Sequence, residues 1–128
     1  MIGITYRSLR SYRYQLMATY TIELPWLGGC TVASDWLQVC DGYLTISAGY
    51  AWDGPSGPTW DTASSMRGSL VHDALYQLIR EGLIGCEWRE QADKELRRIC
   101  VEDGMSNLRA ALWYRALRLA GARSAKRR

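Results

Sequence analysis

His72 is the sole histidine in the chain, so any chemistry at neutral pH that needs an imidazole must use it. It lies in Leu70-Val71-His72-Asp73-Ala74-Leu75-Tyr76. Read as a helix at about 100° per residue, Leu75, Tyr76, Ile79 and Leu83 fall within about 60° of His72, and Val71 and Leu78 widen that apolar arc. Asp73 sits about 100° away and opens the polar side, near Arg80. The imidazole therefore faces inward, where its ring nitrogens need partners. A second helix returning antiparallel brings Asp93, flanked by Ala92 and Leu96, within about one turn of the level of His72. Tyr76, four residues after His72, shares its face and can reach the same carboxylate.

Two readings of this constellation stand side by side. One is a core histidine satisfied by a buried carboxylate. The other is a general base whose tautomer is held by that carboxylate. A lone histidine also removes alternatives. Metal-dependent phosphohydrolases and zinc proteases that need several histidine ligands are excluded. A serine triad could recruit only His72, and Ser56 in Gly54-Pro55-Ser56-Gly57 does not stand in the strand-to-helix elbow such enzymes use.

The elements that position these residues follow from periodicity. From Tyr12 to Pro25 the chain is rich in β-branched and aromatic residues, and Tyr20, Ile22 and Leu24 alternate with Thr21 and Glu23, a strand pattern. Gly28-Gly29 marks a turn. Trp36–Val39 and Tyr43–Ser47 flank Asp41-Gly42, a strong hairpin signal. Helices are predicted from about Ser65 to Glu81, Glu87 to Asp103 and Ser106 to Ala120, stopped by Gly82, Gly104 and Gly121. Ser106 is the expected N-cap of the third. Leu108, Leu112 and Leu119 read as its core-facing side, with Arg109, Arg115 and Arg118 mostly elsewhere. The expected fold is α+β, a single domain: a small N-terminal antiparallel sheet over about 12–48, an ordered Gly/Pro/Trp-rich loop over 49–64, helices over about 65–121 and a basic tail over 122–128. Ordered loops on a scaffold are where sites tend to sit.

Composition is that of a globular domain, 48% apolar and 23% charged, which argues against disorder throughout. The net charge of +3 is carried almost entirely by arginine, and Arg123, Lys126, Arg127 and Arg128 form the tail. That tail reads either as a solvated terminus or as an attraction to anionic lipid or nucleic acid; arginine enrichment does not by itself imply nucleic-acid binding. No run approaches the length of a transmembrane segment, and the first twenty residues lack the apolar stretch of a signal peptide, so synthesis in a cytoplasm is expected. Cys30, Cys40, Cys86 and Cys100 contain no C-x-x-C pair, so free buried thiols are expected and a zinc site is not.

His72-Asp73-x-x-Tyr76 on one helix, followed by Asp93 on an antiparallel helix and preceded by Asp53-Gly54, resembles the secreted phospholipase A(2) superfamily, its short bacterial members above all. The resemblance implies His72 as general base, Asp93 and Tyr76 as the groups that orient it, and calcium held by Asp73 together with Asp53 and the Gly54 carbonyl. It implies hydrolysis of a phospholipid acyl ester, with Trp52 and Trp60 as candidate lipid-facing groups or, alternatively, packing residues. The chain departs from that pattern in three places. Ser69 and Leu70 stand where a cysteine precedes the histidine. Pro55 removes one backbone N–H suited to an oxyanion, which Ser56 or Gly57 would have to supply. The N-terminal sheet is not a phospholipase feature.

Across about Tyr14 to Gly121, the order of strands, Ala48-Gly49-Tyr50 with Asp53-Gly54 and Ser56, Leu70-Val71-His72-Asp73 with Leu75-Tyr76, Ala92-Asp93 and Asp103-Gly104-Met105 with an Arg-rich helix is similar to an uncharacterised family of phage and prophage proteins. That resemblance implies a phage origin and no reaction. The two expectations are therefore a phage-encoded, calcium-assisted lipid esterase, or a non-catalytic virion, tail-assembly or host-interaction protein keeping the same scaffold. A phospholipid or other acyl ester, or a virion or host protein, is the expected partner rather than nucleic acid, and the protein is expected in the host cytoplasm or in the virion.

Overall fold

The computed structural model describes residues 3–9, 14–54 and 62–120. It is α+β, a small antiparallel sheet region followed by three helices, as periodicity predicts. The chain divides into two compact units, Met1–Asp53 and Gly54–Arg128.

Among the described residues the first unit holds seven short strands: β1 (Tyr6–Ser8), β2 (Tyr14–Leu16), β3 (Tyr20–Glu23), β4 (Val32–Ala33), β5 (Leu37–Cys40), β6 (Tyr43–Ile46) and β7 (Ala51–Trp52). They form two sheets, of order β1-β2-β7 and β3-β6-β5-β4, every pair antiparallel. Register follows the buried alternation. Ile46 lies between Tyr20 and Leu37, and Leu44 lies between Ile22 and Val39; all six are buried. Each such side chain contributes roughly 1.5–3 kcal/mol of hydrophobic stabilisation. A slip of one residue would turn this whole set outward, which fixes the pairing. The hairpin turn falls where expected. Asp41 at φ 51° and Gly42 at φ 78° are both left-handed, as a two-residue turn matched to strand twist requires.

Two expectations about this unit are corrected. The run from Tyr12 to Pro25 is not one strand: the chain bends at Met17-Ala18, so β2 and β3 enter different sheets. The ordered loop also starts later than Gly49, because Ala51 and Trp52 pair with Gln15 and Tyr14.

The second unit holds α1 (Ala63–Arg80), α2 (Arg89–Glu102) and α3 (Asn107–Ala120), with a 3-10 turn at Cys86–Trp88 before α2. Thr62 and Ser65 close a reciprocal capping box at the start of α1, the Thr62 N–H donating to Ser65 Oγ at 3.0 Å, so the helix begins slightly earlier than predicted. Gly82 (φ 73°) and Gly104 (φ 105°) terminate α1 and α2. In both turns the second N–H beyond the helix bonds back over a full turn, Leu83 to the Leu78 carbonyl at 2.9 Å and Met105 to the Cys100 carbonyl at 2.9 Å, the glycine-stopped ending. Leu83 therefore lies in the turn after α1 rather than on the His72 face. Ser106 caps α3, its Oγ accepting from the Arg109 N–H at 3.2 Å.

The apolar side of α3 is the reverse of the one predicted. Ala110, Trp113 and Leu117 are buried and pack with Leu96, Cys100 and Met105 of the preceding segment, whereas Leu108, Leu112 and Leu119 are 72%, 56% and 88% exposed. All four cysteines are free, and only Cys100 is buried; Cys40 and Cys86 are exposed, so the expectation of buried thiols holds for Cys100 alone among these three. Burial pushes the Cys100 thiol up to about 12, with a smaller contribution from the charge of Asp103. Gly121 and the basic tail lie outside the described residues, as do Pro55, Ser56, Gly57 and Trp60. Among the described residues no helix is long and apolar enough to cross a membrane.

Candidate functional site

Three helices converge on one carboxylate. Asp93, on α2, is fully buried at 0% exposure. Its Oδ1 lies 2.7 Å from His72 Nε2 on α1 and accepts from the Tyr76 hydroxyl at 2.6 Å. Its Oδ2 accepts from Arg118 Nη1 on α3 at 2.8 Å. Arg89, one turn before Asp93 on α2, stands 3.8 Å from the same oxygen and donates to the Leu117 carbonyl at 3.3 Å. The imidazole and phenol rings are 4.1 Å apart, tilted by 38°, as residues four apart on one helix face allow.

The local sequence explains the convergence. His72 and Tyr76 occupy the buried side of α1, where Leu75 and Ile79 are also buried. Ala92 and Leu96 flank Asp93 on the buried side of α2. Gly68 lets the helices approach closely: a Cβ there would sit 2.6 Å from Cys100 Sγ and 3.3 Å from the Leu96 carbonyl.

Burial alone would raise the Asp93 carboxyl, but hydrogen bonds from His72, Tyr76 and Arg118 outweigh it and hold the group below its ordinary value. Asp93 is therefore an anion and can only accept. Its neighbour Nε2 must then carry the proton. In the neutral imidazole this leaves the lone pair on Nδ1, the nitrogen pointing away from the carboxylate. The same burial and the adjacent Asp93 anion raise the Tyr76 hydroxyl well above its usual range, so Tyr76 stays a donor. Chemically, the arrangement is a base of fixed tautomer with a buried anion behind it, able to stabilise an imidazolium once a proton is taken.

The structure thus brings His72, Tyr76 and Asp93 together. Asp73 follows His72 on α1 and is half-buried; Asp53 is exposed at the end of the first unit; Gly54, at φ 84°, opens the second. Asp53 thus belongs to the first unit, and Asp73 and Gly54 to the second; each offers oxygen, the donor type that a hard cation takes. Among the described residues no group of three or more His, Cys, Asp or Glu side chains is arranged to hold a metal ion. Trp52 is 2% exposed and packs against the rings of Tyr6 and Tyr14 at 5.9 and 5.7 Å. That corrects its candidacy as a lipid-facing group in favour of packing.

Sequence reasoning missed Arg118 and Arg89. The signal for Arg118 is its place one residue after Leu117 and five after Trp113, at the border of the buried face of α3; it becomes legible only once that face is known. A second ionic cluster, around the buried Arg67, was also missed. Arg67 Nε and Nη2 donate to the two Asp103 oxygens at 3.0 Å each, and Nη2 also to Glu102, tying the start of α1 to the end of α2. Comparison with protein-family models, curated proteins and solved structures gives no match to this chain.

Proposed function

We propose that the chain is a small hydrolase of lipid acyl esters in which His72 Nδ1 is the general base. The observation that carries this reading is the buried Asp93 anion holding His72 Nε2 at 2.7 Å while Tyr76 holds the same oxygen. This combination fixes the tautomer in which Nδ1 can take a proton from water. Asp93 balances the imidazolium that results, and Arg118 keeps the carboxylate from rotating away. The resemblance of His72-Asp73-x-x-Tyr76 and Asp93 to the phospholipase A(2) superfamily supplies the substrate class. The same resemblance assigns calcium to oxygen donors such as Asp73 and the Gly54 carbonyl, where, when bound, it would polarise the ester carbonyl.

The near-complete burial of His72, 5% exposed, favours a second reading. The network then only braces three helices in a non-catalytic phage virion or host-interaction protein. Ester hydrolysis of phosphatidylglycerol vesicles, with and without calcium, separates the two. The hydrolase reading expects turnover that falls by at least about a hundredfold in His72→Asn, as for loss of a general base, and calorimetric calcium binding that is lost in Asp73→Asn. Absence of turnover in folded wild type with calcium present overturns it.

A further inference from the structure

The last helix carries two apolar faces, and only one is used by the core. At about 100° per residue, Leu108, Leu112 and Leu119 fall within roughly 40° of one another, on the side of α3 opposite Ala110, Trp113 and Leu117. All three are exposed, Leu119 at 88%. Exposed Arg115 lies along the edge of this stripe. Isolated exposed leucines need no explanation, but three in register on one helix face do.

Charge identifies the occupant. After Asp103 the chain contains no acidic residue and seven basic ones: Arg109, Arg115, Arg118, Arg123, Lys126, Arg127 and Arg128. These 25 residues carry +7, and the preceding 103 carry −4. Arg118 is held by Asp93, but a leucine stripe edged by exposed Arg115, on a helix without acidic residues and followed in sequence by four more basic residues, matches an anionic lipid surface, which takes leucine into its apolar layer and basic groups at its headgroups. A second copy fits less well. Two such helices would bring two wholly basic segments together, with Arg115 beside the seam. Duplex nucleic acid would use the arginines but has no use for three exposed leucines.

We propose that α3 is a membrane-surface helix that docks its Leu108–Leu112–Leu119 face onto anionic phospholipid. The proposal rests on the exposure and charge of α3 and holds whether or not His72 is catalytic.

Co-sedimentation of the full chain with phosphatidylglycerol/phosphatidylcholine vesicles, in chelator, tests it. Binding is expected to the mixed vesicles, to weaken sharply with salt, and to be lost on phosphatidylcholine alone. Leu112→Gln and Leu119→Gln, both at exposed positions, should each weaken it roughly tenfold with unchanged circular dichroism. His72→Asn should bind as wild type, so failure of ester hydrolysis and failure of docking are read separately. Wild type that does not sediment with anionic vesicles overturns the proposal. So does equal binding by the leucine variants, or a dimer that Leu112→Gln dissociates. Tight duplex DNA binding that both leucine variants retain, in place of vesicle binding, assigns the charge to nucleic acid and overturns it as well.

Discussion

The two units of this chain bury different kinds of residue. In the sheet unit, every buried side chain among the described residues is apolar or aromatic, from Leu16 to Trp52. In the helical unit, Ser65, Arg67, Ser69, His72, Asp93 and Glu95 are buried beside the leucines. Apolar burial is non-directional and tolerates repacking. A buried ionic group costs several kcal/mol to desolvate and is stable only with partners in place. The sheet unit is thus a scaffold held by side-chain register, while the helical unit holds a specific polar arrangement. Within it the two ionic clusters also differ. Arg67 with Asp103 and Glu102 joins a guanidinium, which can only donate, to carboxylates at the end of α2. The Asp93 cluster includes an imidazole, which can donate through one ring nitrogen and accept through the other. That difference is why the proposed chemistry is assigned to the His72 cluster rather than to the Arg67 cluster.

The contrast is broken most severely at Asp93. Asp93→Ala would leave His72, Tyr76 and Arg118 with unpaired donors around a buried void, an expected loss of about 3–5 kcal/mol in urea-unfolding measurements of the helical signal. A loss below about 1 kcal/mol would mean the cluster is far more hydrated than its burial indicates. In the sheet unit, the matching truncation is Leu44→Ala. It removes a side chain at 0% exposure that lies between Ile22 and Val39. Its expected cost is about 2–4 kcal/mol, with the slope of unfolding against pH unchanged, because no titrating group is touched.

Acidity and alkalinity should sharpen the same contrast, read as amide-exchange protection in each unit. Asp93 is held below its ordinary value, so the stability it contributes is full above the unfolded carboxyl range and lost as pH falls through the folded value. Cys100 is pushed from 9.0 up to about 12, and Tyr76 is raised above 10.0. The folded chain therefore keeps protons that the unfolded chain sheds. The stability from these two groups is full below about pH 9 and declines as pH rises from there. Protection of α1 and α2 amides is expected to fall at both extremes. Equal sensitivity of the β5 and β6 amides would erase the distinction between the units.

Much of this was legible in the sequence, and the omissions have physical causes. Period-two alternation placed β3, β5 and β6, and Asp41-Gly42 placed their turn, because those signals are local. Glycine stops placed the ends of α1 and α2 for the same reason. The meeting of His72, Tyr76 and Asp93 was legible because helix periodicity and one short antiparallel connection determine it. The inverted face of α3 was not. Leu108, Leu112 and Leu119 and Ala110, Trp113 and Leu117 are both apolar sets at helical spacing, and only packing against Leu96 and Cys100 selects between them. The role of Arg118 was hidden behind that choice. The break at Met17 was hidden because β-propensity continues through it, and the bend is set by pairing with β7, remote in sequence.

The smallest effect concerns how closely α1 and α2 approach. In an ordinary helix, Gly→Ala gains about 1 kcal/mol. At Gly68 the new methyl would meet Cys100 Sγ at 2.6 Å and the Leu96 carbonyl at 3.3 Å, and overpacking of a buried contact costs about 1–3 kcal/mol. Gly68→Ala is therefore expected to be destabilising by about 1 kcal/mol net. Most of the obstruction is one sulfur atom, so Cys100→Ala should make room for the methyl. In that background Gly68→Ala should become neutral or stabilising, a coupling of about 1–2 kcal/mol in a double-mutant cycle. Additive effects would show that the Leu96 backbone, not the thiol, sets the distance between the helices. In that case the spacing that brings His72 to Asp93 is fixed by the main chain and is not adjustable through side chains.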